Sequence, residues 1–281
     1  MTARLIEPIS KIGKLRALLL ELLREHEADS ALPTSARFLF YELIQRGHLS
    51  KEKNGARRPD QNLHDALTDI REDGRVPWDW IVDETRSLED YTGYKSVKDG
   101  ILAQLEHINI DPWRGRAPMI LTESRSLRGA LRVIAREYRC RITSTGGQCG
   151  GFLRTDIAPA LQPDDVVLYL GDYDLAGSQI EDNTRRVLEQ EIGAPLQWER
   201  LAITRAQIDE HRLPIITKQD HRYSDGRPHE AVETEALKQT VLVDLLRGRL
   251  EELLPEPLDR VLEREARQRA QAAKVLRGMR R

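Results

Sequence analysis

Near the N-terminus the hydrophobic positions recur at helical spacing. Between Ser10, a possible N-cap, and Glu27, residues Leu15, Leu18, Leu19, Leu22 and Leu23 line one face. That stripe predicts a packing helix. After Pro33, Thr34 or Ser35 can cap a second helix over Ala36 to Arg46, stopped by Gly47. A third stretch, Gln61 to Glu72, has the same period and ends at Gly74, and RVPWDWIVDET follows as extended chain. Helix, loop, helix and a short extended segment is the order of a winged helix-turn-helix. Asp83 to Ala117 is less regular and reads as a connector with one helix near Lys98 to Glu106.

Beyond Pro118 short apolar runs alternate with amphipathic stretches. Pro118 to Thr122 (PMILT) predicts a strand ending at Glu123, and SRSLRGALRVIAREY a basic amphipathic helix. ITSTGGQCGGF then sets four glycines within the six residues Gly146 to Gly151, and TDIAPALQ reads as helical. VVLYLGDYDLAG, Val166 to Gly177, is a β-branched apolar run broken by Gly171, as expected of a buried parallel strand. The helix SQIEDNTRRVLEQEIG leaves it. This rhythm predicts an α/β domain with a mainly parallel sheet and crossover helices. LQWERLAI supplies another strand, ITKQDHRYSDGRPHE a polar loop, and the chain turns helical again from Val232. Arg260 to Arg281 holds eight Arg and Lys against two Glu, which suits either a solvated helical face or a contact with phosphate.

Composition narrows the class. With 281 residues, 40% hydrophobic and 32% charged, the chain can form one large or two ordinary globular domains. No run of about eighteen apolar residues is present, so no membrane association is expected. The N-terminal apolar stretch is charge-flanked and helically periodic, unlike a signal peptide, which makes the cytoplasm the expected compartment. Two cysteines, Cys140 and Cys149, support neither a disulfide framework nor a cysteine zinc site. The net charge of −2 leaves any DNA surface to local clusters of arginine.

The candidate chemistry lies at strand ends. Asp172 and Asp174 stand one residue apart just past the second apolar run, and alternation lets both converge on one point. Two such charges at about 4 Å repel by roughly 4 kcal/mol at an effective dielectric near 20, which a hard divalent cation would relieve. Glu123, at the end of the earlier strand, supplies a third carboxylate. Magnesium takes few protein carboxylates and completes its shell with water and substrate phosphate, so this set suits phosphodiester chemistry. An Asp-x-Asp alone also occurs in sugar-nucleotide enzymes and capping turns. The glycine cluster from Gly146 is neither a dinucleotide fingerprint nor a P-loop and reads as a close backbone approach beside the acids.

ILTE followed by a helix, a glycine-bearing second strand and LGDYDLAG together resemble the Toprim domain of topoisomerases, bacterial primases and certain nucleases. The resemblance implies that Glu123, Asp172 and Asp174 bind Mg2+, with Glu181 or Asp182 as a further acid. Upstream, Arg37, Phe40 and Tyr41 fall at the Arg-x-x-aromatic-Tyr spacing of the winged helix in the A subunit of topoisomerase VI and the meiotic double-strand-break proteins. A group of prokaryotic mobile-element relatives is also similar at Pro77 to Ile81 and Val232 to Leu237. These likenesses imply a winged-helix region over residues 1–83, a connector over 84–117, a Toprim (Rossmann-like) domain over 118–245 and a basic helical tail over 246–281. They imply Tyr41 as nucleophile, Arg37 as its partner, double-stranded DNA as substrate and a 5′-phosphotyrosyl product. They further imply a homodimer in which the tyrosine of one subunit meets the acids of the other, a separate GHKL-type ATPase subunit, and a nucleoid-associated location.

Two other outcomes follow from the same residues: a hydrolytic Toprim nuclease without tyrosine chemistry, and a non-catalytic DNA-binding subunit. Tyr41, between Phe40 and Leu43, also suits a half-buried packing position. Arg37 precedes it by one helical turn and can hold a phosphate or favour the phenolate. Trp78 and Trp80 suit interior packing better than base stacking. His221 and His229 in the polar loop are candidates to approach the cleft. Of Glu233 and Glu235, one can support the site, and a helix-surface role fits equally.

Overall fold

The computed structural model describes residues 11–51, 60–82, 92–147, 149–218 and 229–278. Ser10, His221 and the middle of the polar loop lie outside them. Helices α1 (Lys11–Ala28), α2 (Ala36–Gln45) and α3 (Gln61–Glu72) bury their apolar stripes against one another, with Leu19, Leu23, Leu39, Leu43, Leu63 and Leu67 at the centre. Ser35 caps α2 by accepting the Phe38 N–H at 3.3 Å, and Gly47, at φ +74°, ends the turn beyond it. A buried His26–Glu42 hydrogen bond of 2.7 Å ties α1 to α2.

RVPWDWI departs from the expected extended chain. Pro77 fixes the entry to a 3₁₀ turn, Trp78–Trp80, closed by the Trp80 N–H to the Pro77 carbonyl at 3.3 Å. Among the described residues Ile81 forms a single parallel bridge, to Thr34. The tryptophans also separate. Trp80 packs on the helical core, whereas Trp78 is 58% exposed with the Arg71 guanidinium 4.5 Å over its ring.

The connector carries α4 (Val97–Gln104) and a 3₁₀ turn, Leu105–His107. Past it, Trp113 is buried and donates its indole N–H to the Tyr138 carbonyl at 2.6 Å. There follow β1 (Met119–Thr122), α5 (Arg125–Glu137), β2 (Arg141–Ser144) and a single-turn helix α6 (Gly150–Phe152) that runs into π and 3₁₀ turns ending at Ala160. The chain continues through β3 (Val166–Leu170), α7 (Leu175–Ile192), β4 (Gln197–Ala202), α8 (Arg205–Glu210), β5 (Ile216–Lys218), β6 (His229–Ala231), α9 (Gln239–Leu253) and α10 (Leu258–Gly278). Helix α8, which no pattern announced, is set by a capping box between Thr204 and Gln207.

Strands β1 to β4 form one parallel sheet in the order β2-β1-β3-β4. This is a mixed α/β architecture compatible with a Rossmann-like domain. Alternation sends Ile120, Leu168 and Leu170 to one face, beneath α5 and α9, and Met119, Leu121, Val167 and Tyr169 to the other, beneath α7. Burial on both faces explains why these strands read as continuous apolar runs.

Two stretches differ from expectation. The ends of the polar loop pair as an antiparallel ribbon, β5 with β6. The helix expected from Val232 begins only at Gln239, because Val232 exchanges backbone hydrogen bonds with Tyr173 at 2.8 and 2.9 Å and Glu233 is held extended. The basic tail is helical, but one face is docked. Glu265 is buried, accepting the Ile110 N–H at 2.7 Å and pairing with Arg139.

Candidate active site

Strand order decides where the site lies. From β1 the chain crosses to β2 on one side, and from β3 to β4 on the other, so the connections diverge between the parallel neighbours β1 and β3. Open α/β sheets bind ligands outside the carboxyl ends of strands at such a switch point. Glu123 follows β1 and Asp172 follows β3, so both candidate acids stand there. They are in contact: the Asp172 N–H donates to Glu123 Oε2 at 3.0 Å. Burial, together with the negative charge of Asp172, pushes the Glu123 carboxyl up to about 7, against the opposing hydrogen bond from Asp172.

Asp172 is raised for the same reasons, first burial and then the charge of Glu235. Hydrogen bonds into its Oδ1 from the Thr234 N–H (2.8 Å) and hydroxyl (2.9 Å), and the charge of Arg37, act the other way. Asp174 is the N-cap of α7, its Oδ1 accepting the Gly177 N–H at 2.7 Å. It stands close enough to Glu123 to raise that carboxyl further.

The backbone beneath the acids is tightly built. A Cβ on Gly177 would lie 2.5 Å from the Asp172 carbonyl oxygen, which explains glycine at that position. Gly177→Ala therefore forces Asp172 or the start of α7 to move, and should cost about 1–3 kcal/mol. Urea unfolding measures this, and an unshifted midpoint would show that the turn yields freely. Arg200 holds the same loop, donating to the carbonyls of Gly171 (3.0 Å), Asp172 (2.6 Å) and Ile203 (2.9 Å). Glu181 is taken up in supporting it, pairing with Arg200 and accepting the Trp198 indole N–H at 2.8 Å, while Asp182 is exposed on α7. On the other side of β1, the Gly146 N–H donates to the Glu123 carbonyl at 2.9 Å, with Gly146 at φ +59° and Gly147 at φ +100°.

Arg37 and Tyr41 arrive at this point from α2 within the same chain. Helical geometry puts residues 37 and 41 on one face, with Phe38 about 100° away and Leu39 and Leu43 opposite. Leu39 and Leu43 enter the helical core, while Phe38 is fully buried in the core of the α/β domain. The face between them is thus turned toward the acids. Thr34 and Gln239 lock that placement. The Thr34 hydroxyl bonds Gln239 Oε1 at 2.6 Å, and the Gln239 amide donates to Ala31 and Pro33 carbonyls at 2.8 and 2.9 Å.

Arg37 bridges the two glutamates. Its Nη2 is 2.8 Å from Glu233 Oε2 and its Nε 3.1 Å from Glu235 Oε1. Tyr41, 6% exposed, donates its hydroxyl to the same Glu233 Oε2, and Lys51 Nζ lies 3.0 Å from Glu233 Oε1 and 4.3 Å from the Tyr41 ring centre. Burial raises the Glu233 carboxyl, partly offset by Arg37. Glu235 is fully buried and accepts the hydroxyls of Ser124 and Ser126, each at 2.6 Å. Neither glutamate lies on a helix surface. Both belong to the strand-like stretch and 3₁₀ turn that also carry Thr234, so this segment joins Tyr41 to the acids.

Carboxylate oxygens are the hard donors that magnesium takes. All three candidate ligands are hard oxygens, and two buried polar atoms beside them, Tyr169 Oη near Glu123 and Glu235 Oε2 near Asp172, have no protein partner among the described residues. Among those residues no group of three or more His, Cys, Asp or Glu side chains is placed to hold a metal ion, and Glu123, Asp172 and Asp174 do not form one.

His229 starts β6 and is not among the cleft-lining residues. Sequence reasoning missed Arg200, Thr234 and Lys51. A charged residue inside the apolar run LQWERLAI was the available signal for Arg200, and Thr234 sat between two singled-out glutamates. Compared with known proteins, the chain matches no family model, no curated protein and no solved structure.

Proposed function

We propose that this chain is a magnesium-dependent DNA-cleaving enzyme of winged-helix plus Toprim type, acting through Tyr41 in the manner of the topoisomerase VI A subunit. One observation carries the reading: Tyr41 and Arg37 from the helical region are linked to Asp172, at the β3 end, through Glu233, Thr234 and Glu235. Glu123 and Asp172 would hold the cation, with Asp174 beside them. Bound there, magnesium supplies charge neutralisation at phosphate oxygens.

The chain's own groups account for the rest. A phenol with a pKa near 10 is a poor nucleophile at neutral pH, so its attack needs a base or a cation, and Arg37 and Lys51 stand beside the Tyr41 ring. The phenolate oxygen bonds to phosphorus as the bond to the 3′ oxygen breaks. The proton lost by the phenol returns to that oxygen through solvent, leaving DNA joined to the protein by its 5′ phosphate. A homodimer and a separate ATPase subunit belong to the same proposal, as does a cytoplasmic, nucleoid-associated setting. The expected meeting of one subunit's tyrosine with the other's acids is not what this chain shows: Tyr41 is linked to the acids of its own chain. Among the described residues no helix is long and apolar enough to cross a membrane.

The test is incubation with supercoiled plasmid in magnesium or in chelator, followed by denaturing electrophoresis. The expected result is magnesium-dependent cleavage with protein retained on 5′ ends, abolished in Tyr41→Phe. The burial of Tyr41 favours a second reading, hydrolysis by the acids alone. Cleavage without adduct, undiminished in Tyr41→Phe, would select it.

A further inference from the structure

Three donors converge on one carboxylate in the cleft. The Arg37 guanidinium and the Tyr41 hydroxyl meet Oε2 of Glu233, and the Lys51 ammonium meets its Oε1. This is more than a structural ion pair requires. Arg37 is already paired with Glu235, so its contact with Glu233 is a second one. We propose that Arg37, Lys51 and the Tyr41 hydroxyl form a binding site for one phosphodiester of DNA, and that Glu233 fills this site in the free protein as a stand-in for the phosphate. The proposal rests on the DNA reading for the identity of the ligand, but not on tyrosine chemistry.

The stereochemistry matches. A phosphodiester presents two non-bridging oxygens sharing one negative charge, as a carboxylate does, so one oxygen can take Arg37 and Tyr41 and the other Lys51. Glu233 borders a cleft of about 750 Å³ that Arg71 and Arg125 also line, large enough for a strand segment to reach the site. The backbone on either side of Glu233 is fixed, by the Val232–Tyr173 pairing and by the Thr234 bonds to Asp172. The side chain can therefore swing out by rotamer change alone, leaving the acids undisturbed. Arg37 keeps Glu235 as its anchor while Glu233 leaves. Before displacement Glu233 neutralises the donors and weakens attraction for other anions, so the occupied state selects against weak, non-specific ligands.

The experiment is binding of a fluorescent duplex oligonucleotide in chelator, which silences cleavage, by wild type, Glu233→Gln and Glu233→Asp across a salt series. The account expects Glu233→Gln to bind about tenfold tighter. Its plot of log affinity against log salt should steepen, because a carboxylate charge that competes with the phosphate is gone. Glu233→Asp, a shorter carboxylate withdrawn from the donors, should fall between, and adding Lys51→Gln to Glu233→Gln should reverse the gain. Unchanged or weaker DNA binding in both Glu233 variants, with thermal unfolding showing them folded, would overturn the proposal. Titration with inorganic phosphate separates it from the DNA reading. If Glu233→Gln takes phosphate more tightly than wild type while neither takes DNA, the anion site stands and the DNA assignment falls.

Discussion

Asp172→Asn should abolish magnesium-dependent DNA cleavage, by about 10³-fold or more, while leaving the chain folded and somewhat more stable. The amide keeps an oxygen in place of Oδ1, so the hydrogen bonds from the Thr234 N–H and hydroxyl survive. What disappears is a negative charge that burial and Glu235 make unfavourable in the folded state. Removing it should raise stability by about 1 kcal/mol, the usual sign when a strained functional group is neutralised. Plasmid cleavage and urea unfolding on the same preparation check both halves. A variant that cleaves normally would remove Asp172 from the chemistry, and one that is less stable would mean that its charge is compensated in the free protein.

Glu123 gives the second large effect. Its folded carboxyl sits at about 7 against an ordinary value of 4.5, a group whose folded form holds its proton longer than the unfolded chain does. Between those two pH values the unfolded state loses a proton that the folded state retains, so stability falls as pH rises through the window. A shift of this size corresponds to about 3 kcal/mol at most, reduced to about 2 kcal/mol by solvent screening of a partly exposed group, fully present below pH 4.5 and lost above pH 7. Asp172, also raised, adds a loss of the same sign. Glu123→Gln should flatten the decline and be more stable than the parent at pH 8. Saturating magnesium should flatten it too, because a cation favours the ionised carboxylates. Urea midpoints at pH 5 and pH 8 decide the matter. A parent chain that is more stable at pH 8 than at pH 5 would contradict the clustered-acid account.

The sheet was legible because burial on both faces writes β1 and β3 as unbroken apolar runs, and the acids were legible because they stand just where those runs stop. The order of α1 to α3 was equally readable from the leucine period. Other features depended on contacts that no local pattern records. The reading of Val232 onward as helix missed the bridge between Val232 and Tyr173, which straightens the chain and turns Glu233, Thr234 and Glu235 into a wall of the site. Phe38 looked like an ordinary apolar residue of α2, yet its burial in the second core turns Arg37 and Tyr41 toward the acids. Trp78 and Trp80 share one motif but separate across a 3₁₀ turn set by Pro77, a backbone choice that side-chain pattern alone does not reveal. Glu181, expected as a further acid of the site, is drawn away by Arg200 and Trp198, partners supplied by a strand some twenty residues later.

The central claim is that Tyr41 becomes bonded to DNA, and one measurement addresses it directly. After reaction with magnesium and plasmid, the protein is denatured, treated exhaustively with nuclease and protease, and the α2 peptide is examined by mass spectrometry. The account predicts a peptide bearing a nucleotide through its 5′ phosphate on Tyr41. Cleaved DNA carrying free 5′ phosphates, with Tyr41 recovered unmodified, would contradict it.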